Sequence, residues 1–485
     1  MKTAFVASEV VPFAKTGGLA DVSGALPKEL SKLGTDIKIF MPKYDVIDEL
    51  KNNLSYNWNV GEFFVEVNGR EHPVHLFSGF LPNSKVEVYF IDSPHYFHRD
   101  KLYTNQVDED ERFILFSKAA LESMKKLNWT PDVIHCNDWQ TGLIPYYIKE
   151  NYKEDFANTA SIFTIHNIGY QGVFPKETLI SAELKPEFFY PMGPLEFYDK
   201  ISFLKIGIVY SDLISTVSPT YAKEILTEEY GAGMDGILRS RKDDLYGILN
   251  GVDYNIWSPE KDHLIERQYS LANLENKNVN KRKLLEKMGL PFREKTPVIG
   301  IISRLVSQKG FDLIAEIFED LMKIDLQAVL LGSGEDEYEE MFEAAAKKHP
   351  KKIAAYIGFN NELSHMIEAG ADMFLMPSQY EPCGLNQIYS LKYGTVPIVR
   401  KTGGLADTVK DWDENIKDES GNGFAFEDYS SAELLSTITR AVSFFADKKI
   451  WTKIVENGMN SDFSWKRSAE NYLDVYNNAL YKKNG

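Results

Sequence analysis

The heptapeptide Lys-Thr-Gly-Gly-Leu-Ala-Asp occurs twice, beginning at Lys15 and again at Lys401. Paired glycines before a helical pattern let backbone N–H groups approach a ligand, and a helix N-terminus favours an anion. In the first copy residues 22–30 read as that helix, and Lys15 adds a mobile cation beside Gly17 and Gly18. A tight structural turn is the plainer reading of the same residues. The Gly-Lys-Ser/Thr ending of a Walker loop is absent.

Further candidates stand where short apolar runs end. Arg304 and Lys309, in Ser303-Arg304-Leu305-Val306-Ser307-Gln308-Lys309-Gly310, are two cations five residues apart that can clamp a diphosphate. A solvated charged turn is the alternative. In Pro377-Ser378-Gln379-Tyr380-Glu381-Pro382-Cys383-Gly384-Leu385-Asn386, Glu381 can accept hydrogen bonds from sugar hydroxyls while the amides of Gly384 and Leu385 face a polar group. A carboxylate capping the next helix, worth about 0.3–1 kcal/mol, is the alternative there. Adjacent His135 and Cys136 lack the spacing of a zinc site, so no metal is expected, and Asp138 remains as a polar group at a sheet edge. His166 and Asn167 join an imidazole to an amide, a pair suited to carbohydrate hydroxyls. A single strand-end histidine is more often structural.

The elements that must position these groups alternate. Strands are expected at 3–7, 37–41, 86–91, 161–165 and 213–217, then in a second series at 298–302, 327–331, 354–357, 373–376 and 396–399. Between them lie helical patterns such as 110–127, with Phe113, Phe116, Ala120, Met124 and Leu127 on one face. Such alternation predicts an α/β protein made of two Rossmann-like, doubly wound domains, with ligand loops at the C-terminal strand ends facing a central cleft. Residues 250–297 are polar and irregular in pattern, and read as the passage between the two.

The chain of 485 residues has room for two or three cores. Its net charge of −17 opposes nucleic acid and anionic membranes, so an anionic ligand must be caught by individual cations. No apolar run is long enough to span a bilayer. Residues 1–7 imitate a signal peptide only faintly, since Glu9 and Lys15 cut the run short. Two cysteines, Cys136 and Cys383, make no disulfide framework, so a cytoplasmic protein is expected.

Together the motifs KTGGLADV, HCNDW, FTIHNIGYQG, GILNGVD, SRLVSQKG, PSQYEPCGLNQ and KTGGLADTV resemble glycosyltransferase family 5, the bacterial glycogen synthases and plant starch synthases, nearly end to end. The resemblance implies a GT-B fold: an N-terminal Rossmann-like domain over 1–250 on the acceptor side and a donor-side domain over 251–464. It further implies a last helix, 465–485, crossing back to the first domain. The implied reaction moves glucose from ADP-glucose to the non-reducing end of an α-1,4-glucan (glycogen, starch or malto-oligosaccharide) with retention, and without metal or other cofactor. Carried over residue by residue, Lys15, Gly17, Gly18 and Asp21 match the donor-binding motif, and Arg304 and Lys309 match the pair that neutralises the diphosphate. Glu381 matches the acid that holds the donor glucose, with Gly384, Leu385 and Asn386 near the phosphates. His166, Asn167, Asp138 and Asn250 match the lining of the sugar site, and Phe359 matches the ring that stacks on adenine. Gly403 and Gly404 are expected on the opposite wall, with Lys401 mattering less than Lys15. Related transferases carry a second Glu eight residues after the first, where this chain has Tyr389; that agrees with family 5 and disfavours sucrose-synthase-like relatives. The family is thought to let the departing phosphate assist attack on the same face. A UDP-glucose enzyme of the same fold and a non-catalytic glucan-binding paralogue are the rival readings. The absence of a visible transit peptide or starch-binding module leads to the expectation of a bacterial protein, or of a trimmed plastid form.

Overall fold

The computed structural model describes residues 1–104 and 106–485. Its contacts divide the chain into two compact units, Met1–Gly251 with Trp465–Gly485, and Val252–Ser464.

In the first unit the run Ala4-Phe5-Val6 is wholly buried and forms most of the strand Lys2–Val6. Burial on both faces is the mark of a parallel strand covered by helices. Lys2–Val6 pairs in parallel with Asp36–Pro42 on one side and Val133–Asn137 on the other. Beyond Val133–Asn137 lie Ala160–Ile165, Leu213–Thr216 and Leu245–Gly247; beyond Asp36–Pro42 lie Glu87–Asp92 and an antiparallel edge. The strand order therefore reverses between Lys2–Val6 and Val133–Asn137. At such a switch point successive loops diverge and leave a crevice at the C-terminal strand ends. The loop to Gly17 and Gly18 and the turn at Asp138 leave the sheet on the two sides of that switch.

The antiparallel edge includes the pair Phe63–Val67 and Arg70–Phe80, absent from the strands expected above. Its turn is Asn68-Gly69, both at positive φ, the sequence signal of a two-residue hairpin. The final helix, Trp465–Asn484, packs within this unit against the helix Gly18–Lys32. Its Tyr476 hydroxyl lies 2.8 Å from His135 Nδ1, and Ser468 Oγ donates to the Leu249 carbonyl at 2.6 Å.

The second unit holds a six-stranded parallel sheet in the order Ile353–Ile357, Gln327–Gly334, Val298–Leu305, Met373–Met376, Val396–Arg400, Phe424–Phe426. Its order reverses between Val298–Leu305 and Met373–Met376, the strands that deliver Arg304 and Glu381. Five of the strands expected in this half extend or match these elements, and the sixth, Phe424–Phe426, is a short edge strand that periodicity cannot register.

The stretch over 250–297 differs from its expected irregularity. It contains the helix Lys277–Lys287, and its polar residues belong to the core. Lys277 is half-buried and donates to the carbonyls of Ala369 (3.0 Å) and Tyr393 (3.1 Å) and to Thr395 Oγ1 (2.7 Å). Burial pushes its pKa down to about 7. Lys281 pairs with Asp372 at 2.7 Å, and Asp262 accepts from Tyr393 and faces His365 Nδ1 at 2.8 Å. Trp257 stacks between His365 and Tyr389, centroids 3.9 and 4.0 Å apart. Polar side chains that bury themselves on carbonyls and carboxylates leave no hydrophobic period to read. Among the described residues no helix is long and apolar enough to cross a membrane.

Candidate active site

Each unit carries its candidate groups at its own switch point. In the first, the loop before the helix Gly18–Lys32 is pinned by a residue that sequence reasoning left aside. Glu9 is buried, and its carboxylate accepts from the Thr16 N–H, from Thr16 Oγ1 (2.7 Å), from the Gly17 N–H (3.1 Å) and from the Tyr103 hydroxyl (2.6 Å). An acid just after the first strand and eight residues before Gly17 was the available signal. Lys15 lies outside this clamp and pairs with Asp21 at 2.7 Å, largely in solvent. Burial raises the Asp21 carboxyl above its usual range although Lys15 opposes the shift.

Asp138 follows Val133–Asn137 with φ 56° and ψ −179°, a backbone region that costs a non-glycine residue about 1–3 kcal/mol and is seen mainly at functional sites. Its Oδ1 accepts the His166 N–H at 2.8 Å, tying the ends of two adjacent strands together. Burial pushes its pKa up to about 7; the backbone N–H groups of His166 and Asn167 oppose that, and the charge of Glu9 adds to it. Glu9 thus connects the glycine loop electrostatically to Asp138. Burial also holds the His166 ring neutral, with its pKa pushed down to about 3. Asn137 donates through Nδ2 to the Val6 carbonyl at 3.0 Å, which leaves its Oδ1 to face His166 Nε2 at 2.9 Å. His166 must therefore carry its proton on Nε2, and Nδ1 is an acceptor available to a hydroxyl. Asn167 Oδ1 accepts from the Gly169 N–H at 2.9 Å. Asn250 is buried, and its Oδ1 has no hydrogen-bond partner among the described residues.

In the second unit two loops are joined backbone to backbone. The Gln379 N–H donates to the Gln308 carbonyl at 2.9 Å, and Gln308 Nε2 returns a bond to the Tyr380 carbonyl at 3.2 Å. A Cβ on Gly310 would stand 2.2 Å from the Pro377 carbonyl oxygen, so only glycine lets the loops meet. Their meeting sets Lys309 Nζ 2.5 Å from Glu381 Oε2, where Ser378 Oγ also donates at 3.1 Å. Arg304 is exposed, and its guanidinium makes no hydrogen bond or ion pair among the described residues. Asn386 Nδ2 donates to the Ile302 carbonyl at 2.8 Å, locking the helix Asn386–Lys392 to the strand that bears Arg304. Gly384 and Leu385 form the turn into that helix, Gly384 with φ 70°. Phe359 is 87% exposed on the turn after Ile353–Ile357, with its ring face open to a stacking partner.

The two heptapeptides are physically unequal. A Cβ on Gly17 or Gly18 would meet nothing within 4 Å, whereas one on Gly403 or Gly404 would stand 2.0 Å from the carbonyl oxygen of Glu381 or Cys383. The Gly404 N–H donates to the Glu381 carbonyl at 3.2 Å. The second copy is thus the packing support of the Glu381 turn, while the first leaves open space. Lys401 is drawn off to Glu414 and Glu427 and does not pair with Glu381.

Two doubly wound sheets, one parallel and one parallel apart from its antiparallel edge, each with polar loops at its reversal point, define the GT-B class of glycosyltransferases. The starch synthase catalytic domain model matches residues 2–240, and the glycosyl transferases group 1 model matches 284–458. The chain is 47% identical over 486 residues to the glycogen synthase of Thermosipho melanesiensis, covering 100% of both. It is 48% identical over 496 residues to that of Desulforudis audaxviator, covering 99% of this chain and 97% of the other. Among solved structures, the catalytic domain of starch synthase IV from Arabidopsis thaliana superposes with a TM-score of 0.91 at 33% identity over 99% of each chain. The chain belongs to the glycogen and starch synthase family, glycosyltransferase family 5, and is a glycosyltransferase of glycogen synthesis.

Two measurements test this geometry. Gly404→Ala is expected to lower stability by about 1–3 kcal/mol in denaturant unfolding through overpacking against Cys383, with Gly17→Ala as stable as the parent. Equal stability of Gly404→Ala and the parent overturns the close-packing account. The second measurement concerns acid. His135, buried between Tyr476 and Thr164, also has its pKa pushed down to about 3 from the ordinary 6.5. Between these values the unfolded chain binds protons that the folded rings refuse, so both His135 and His166 make stability fall as pH drops below about 6.5. Asp138, raised to about 7 from 3.8, acts with the opposite sign: its contribution is present at low pH and is lost as pH rises through 7. The His135→Gln variant should therefore lose less stability between pH 7 and pH 4 than the parent; identical losses refute the neutral-ring assignment.

Proposed function

We propose that the chain transfers glucose from ADP-glucose to the non-reducing end of an α-1,4-glucan, with retention at the anomeric carbon and with protein cations in place of a metal. The observation that carries this reading is Lys309 held on Glu381 at 2.5 Å at the switch point of the second sheet. The choice of ADP and of a glucan is supported by the likeness to starch synthase IV, whose catalytic domain is described as bound to ADP and acarbose.

The chemistry follows from exchange of partners. An arriving diphosphate offers Lys309 an anion in place of Glu381, and the freed carboxylate then accepts hydrogen bonds from the donor glucose. Arg304, unpaired before binding, adds a bidentate fork to the same phosphates. As the C1–O bond to the β-phosphate breaks, negative charge grows on that oxygen, and two fixed cations stabilise the transition state more than the ground state. The acceptor 4-hydroxyl attacks C1 from the face the phosphate leaves, passing its proton to the departing oxygen; ADP and an elongated glucan result. Glu381 is poorly suited to act as nucleophile, because once released by Lys309 its carboxylate stays engaged by Ser378 Oγ and by the glucose hydroxyls it holds. Neutral His166 accepts a sugar hydroxyl through Nδ1, Asp138 orients it through the backbone N–H, and Asn167 and Asn250 complete the polar lining. Lys15, Asp21, Gly17 and Gly18 serve the donor from the first unit, while Gly384, Leu385 and Asn386 hold the phosphates and Phe359 stacks on adenine. Gly403 and Gly404 act by buttressing the Glu381 turn.

Transfer to glycogen from ADP-glucose, in competition with UDP-glucose, tests the reading; preferential use of UDP-glucose refutes the donor assignment. Lys309→Ala and Arg304→Ala are each expected to lower kcat about 100-fold or more, the scale of losing one transition-state donor. Near-normal turnover in either removes it from the mechanism. Lys15→Ala should raise the donor KM far more than Lys401→Ala, and equal losses contradict the unequal roles of the two heptapeptides.

A further inference from the structure

Arg112, on the helix Glu109–Lys126, is wholly buried. Burying a guanidinium is costly unless it is paired and hydrogen-bonded, so its partners show what it holds. Nε donates to the Tyr96 carbonyl at 2.8 Å, Nη1 to Glu109 Oε2 at 2.7 Å and Nη2 to the Leu102 carbonyl at 3.0 Å. Glu109 in turn accepts from the Thr104 N–H at 3.2 Å and from Thr104 Oγ1 at 2.5 Å. Arg99 closes the same segment on the helix by donating to Asp108 Oδ1 at 3.0 Å.

These bonds fix Leu102 and Thr104, the two neighbours of Tyr103. The Tyr103 ring lies against Phe113, the residue after Arg112, with centroids 6.2 Å apart. Its hydroxyl donates to Glu9 Oε1 at 2.6 Å and lies 2.8 Å from Ser8 Oγ. Glu9 accepts the Thr16 and Gly17 N–H groups through its other oxygen. A core cation needs partners only for its own charge, and those could lie on any packed element. Here the anchored residues flank the one side chain that reaches Glu9, so the buried cation is connected to the glycine loop through Tyr103.

We infer that Arg112 is a positioning residue for use of the sugar nucleotide: it sets Tyr103 on Glu9 and so fixes the backbone of Thr16 and Gly17, an assignment that rests on the donor role proposed above for that loop. A buried carboxylate that loses a donor must move or recruit another, and either response shifts the N–H groups it holds. Lysine cannot replace arginine here, because a single ammonium on a flexible stem does not reproduce three donors fixed in a planar fork.

The test uses the full chain and reads the KM for ADP-glucose, the KM for glycogen, and amide hydrogen exchange at residues 16–18. Tyr103→Phe, which removes the hydroxyl and keeps the ring, is expected to raise the ADP-glucose KM about tenfold with the glycogen KM held, the scale of one hydrogen bond to a charged group. It should also speed exchange at Gly17, whose N–H is released from Glu9. Arg112→Lys is expected to act the same way, and to add less than about twofold when combined with Tyr103→Phe, because both work through one bond. Thr104→Val loosens the segment without stranding a buried charge; it should repeat the pattern and carries the cycle if Arg112→Lys does not fold. Unchanged ADP-glucose KM or unchanged Gly17 exchange in Tyr103→Phe overturns the proposal. So do independent, multiplicative effects in the double variant, or equal rises in the two KM values. Hydrogen exchange needs no substrate, so a parent that extends no glucan refutes the proposed function while exchange at Gly17 still decides the positioning.

Discussion

A parallel sheet can grow from its first strand in two directions, and where it does so the loops on either side of the reversal must part. That constraint governs both units. In the first, the reversal beside Lys2–Val6 separates the glycine loop from Asp138; in the second, the reversal beside Val298–Leu305 separates the loop of Lys309 from that of Glu381. Polar backbone and charged side chains can crowd there because the crevice lies beyond the hydrogen-bonded ladder. Each crevice is then closed down by cross-links between its two lips. Asn137 does this in the first unit by donating to the Val6 carbonyl, and the Gln308 bonds together with the Lys309–Glu381 pair do it in the second.

The repeated heptapeptide shows how far a motif constrains a structure. Seven identical residues give the same strand–turn–helix course twice, and that much was legible. What each glycine pair is for depends on its neighbours in space. Gly403 and Gly404 lie against the carbonyls of Glu381 and Cys383, and Gly17 and Gly18 face open space. Lys15 and Lys401 differ in the same way, one exposed beside Asp21 and the other held between two glutamates. No local pattern carries that distinction, because the partners are far away in sequence.

The fold class and the strands bearing the candidate groups follow from apolar runs and could be read directly. Residues 250–297 could not, since periodicity detects buried apolar faces and this stretch buries Lys281 and Asp262, half-buries Lys277, and stacks the half-buried Trp257 on His365 and Tyr389. The same packing gives Tyr389 a structural role. The hairpin at Asn68-Gly69 was signalled by its turn alone. The role of Glu9 and of Tyr103 was not legible because a buried carboxylate that accepts backbone N–H groups resembles, in sequence, any acid in a loop. His135 sat inside a recognisable motif yet belongs to the core, bonded to Tyr476 and Thr164.

Charge completes the account. With a net charge of −17, every cation near a crevice is claimed by a carboxylate unless geometry prevents it. Lys15 is claimed by Asp21 and Lys309 by Glu381, while the Arg304 guanidinium has no partner among the described residues. The exposed Lys15–Asp21 pair contributes about 0–1 kcal/mol, so Lys15 is released at little cost. The Lys309–Glu381 pair is more enclosed, and separating it without a replacement would leave two charges poorly solvated. A single carboxylate ligand could only exchange one such anion for another. Under the proposed function, a diphosphate brings two charges to Lys309 and Arg304 together, an interaction that the resting pair lacks. On that proposal, selection of a multiply charged donor rests on the ion pair that Lys309 and Glu381 already form.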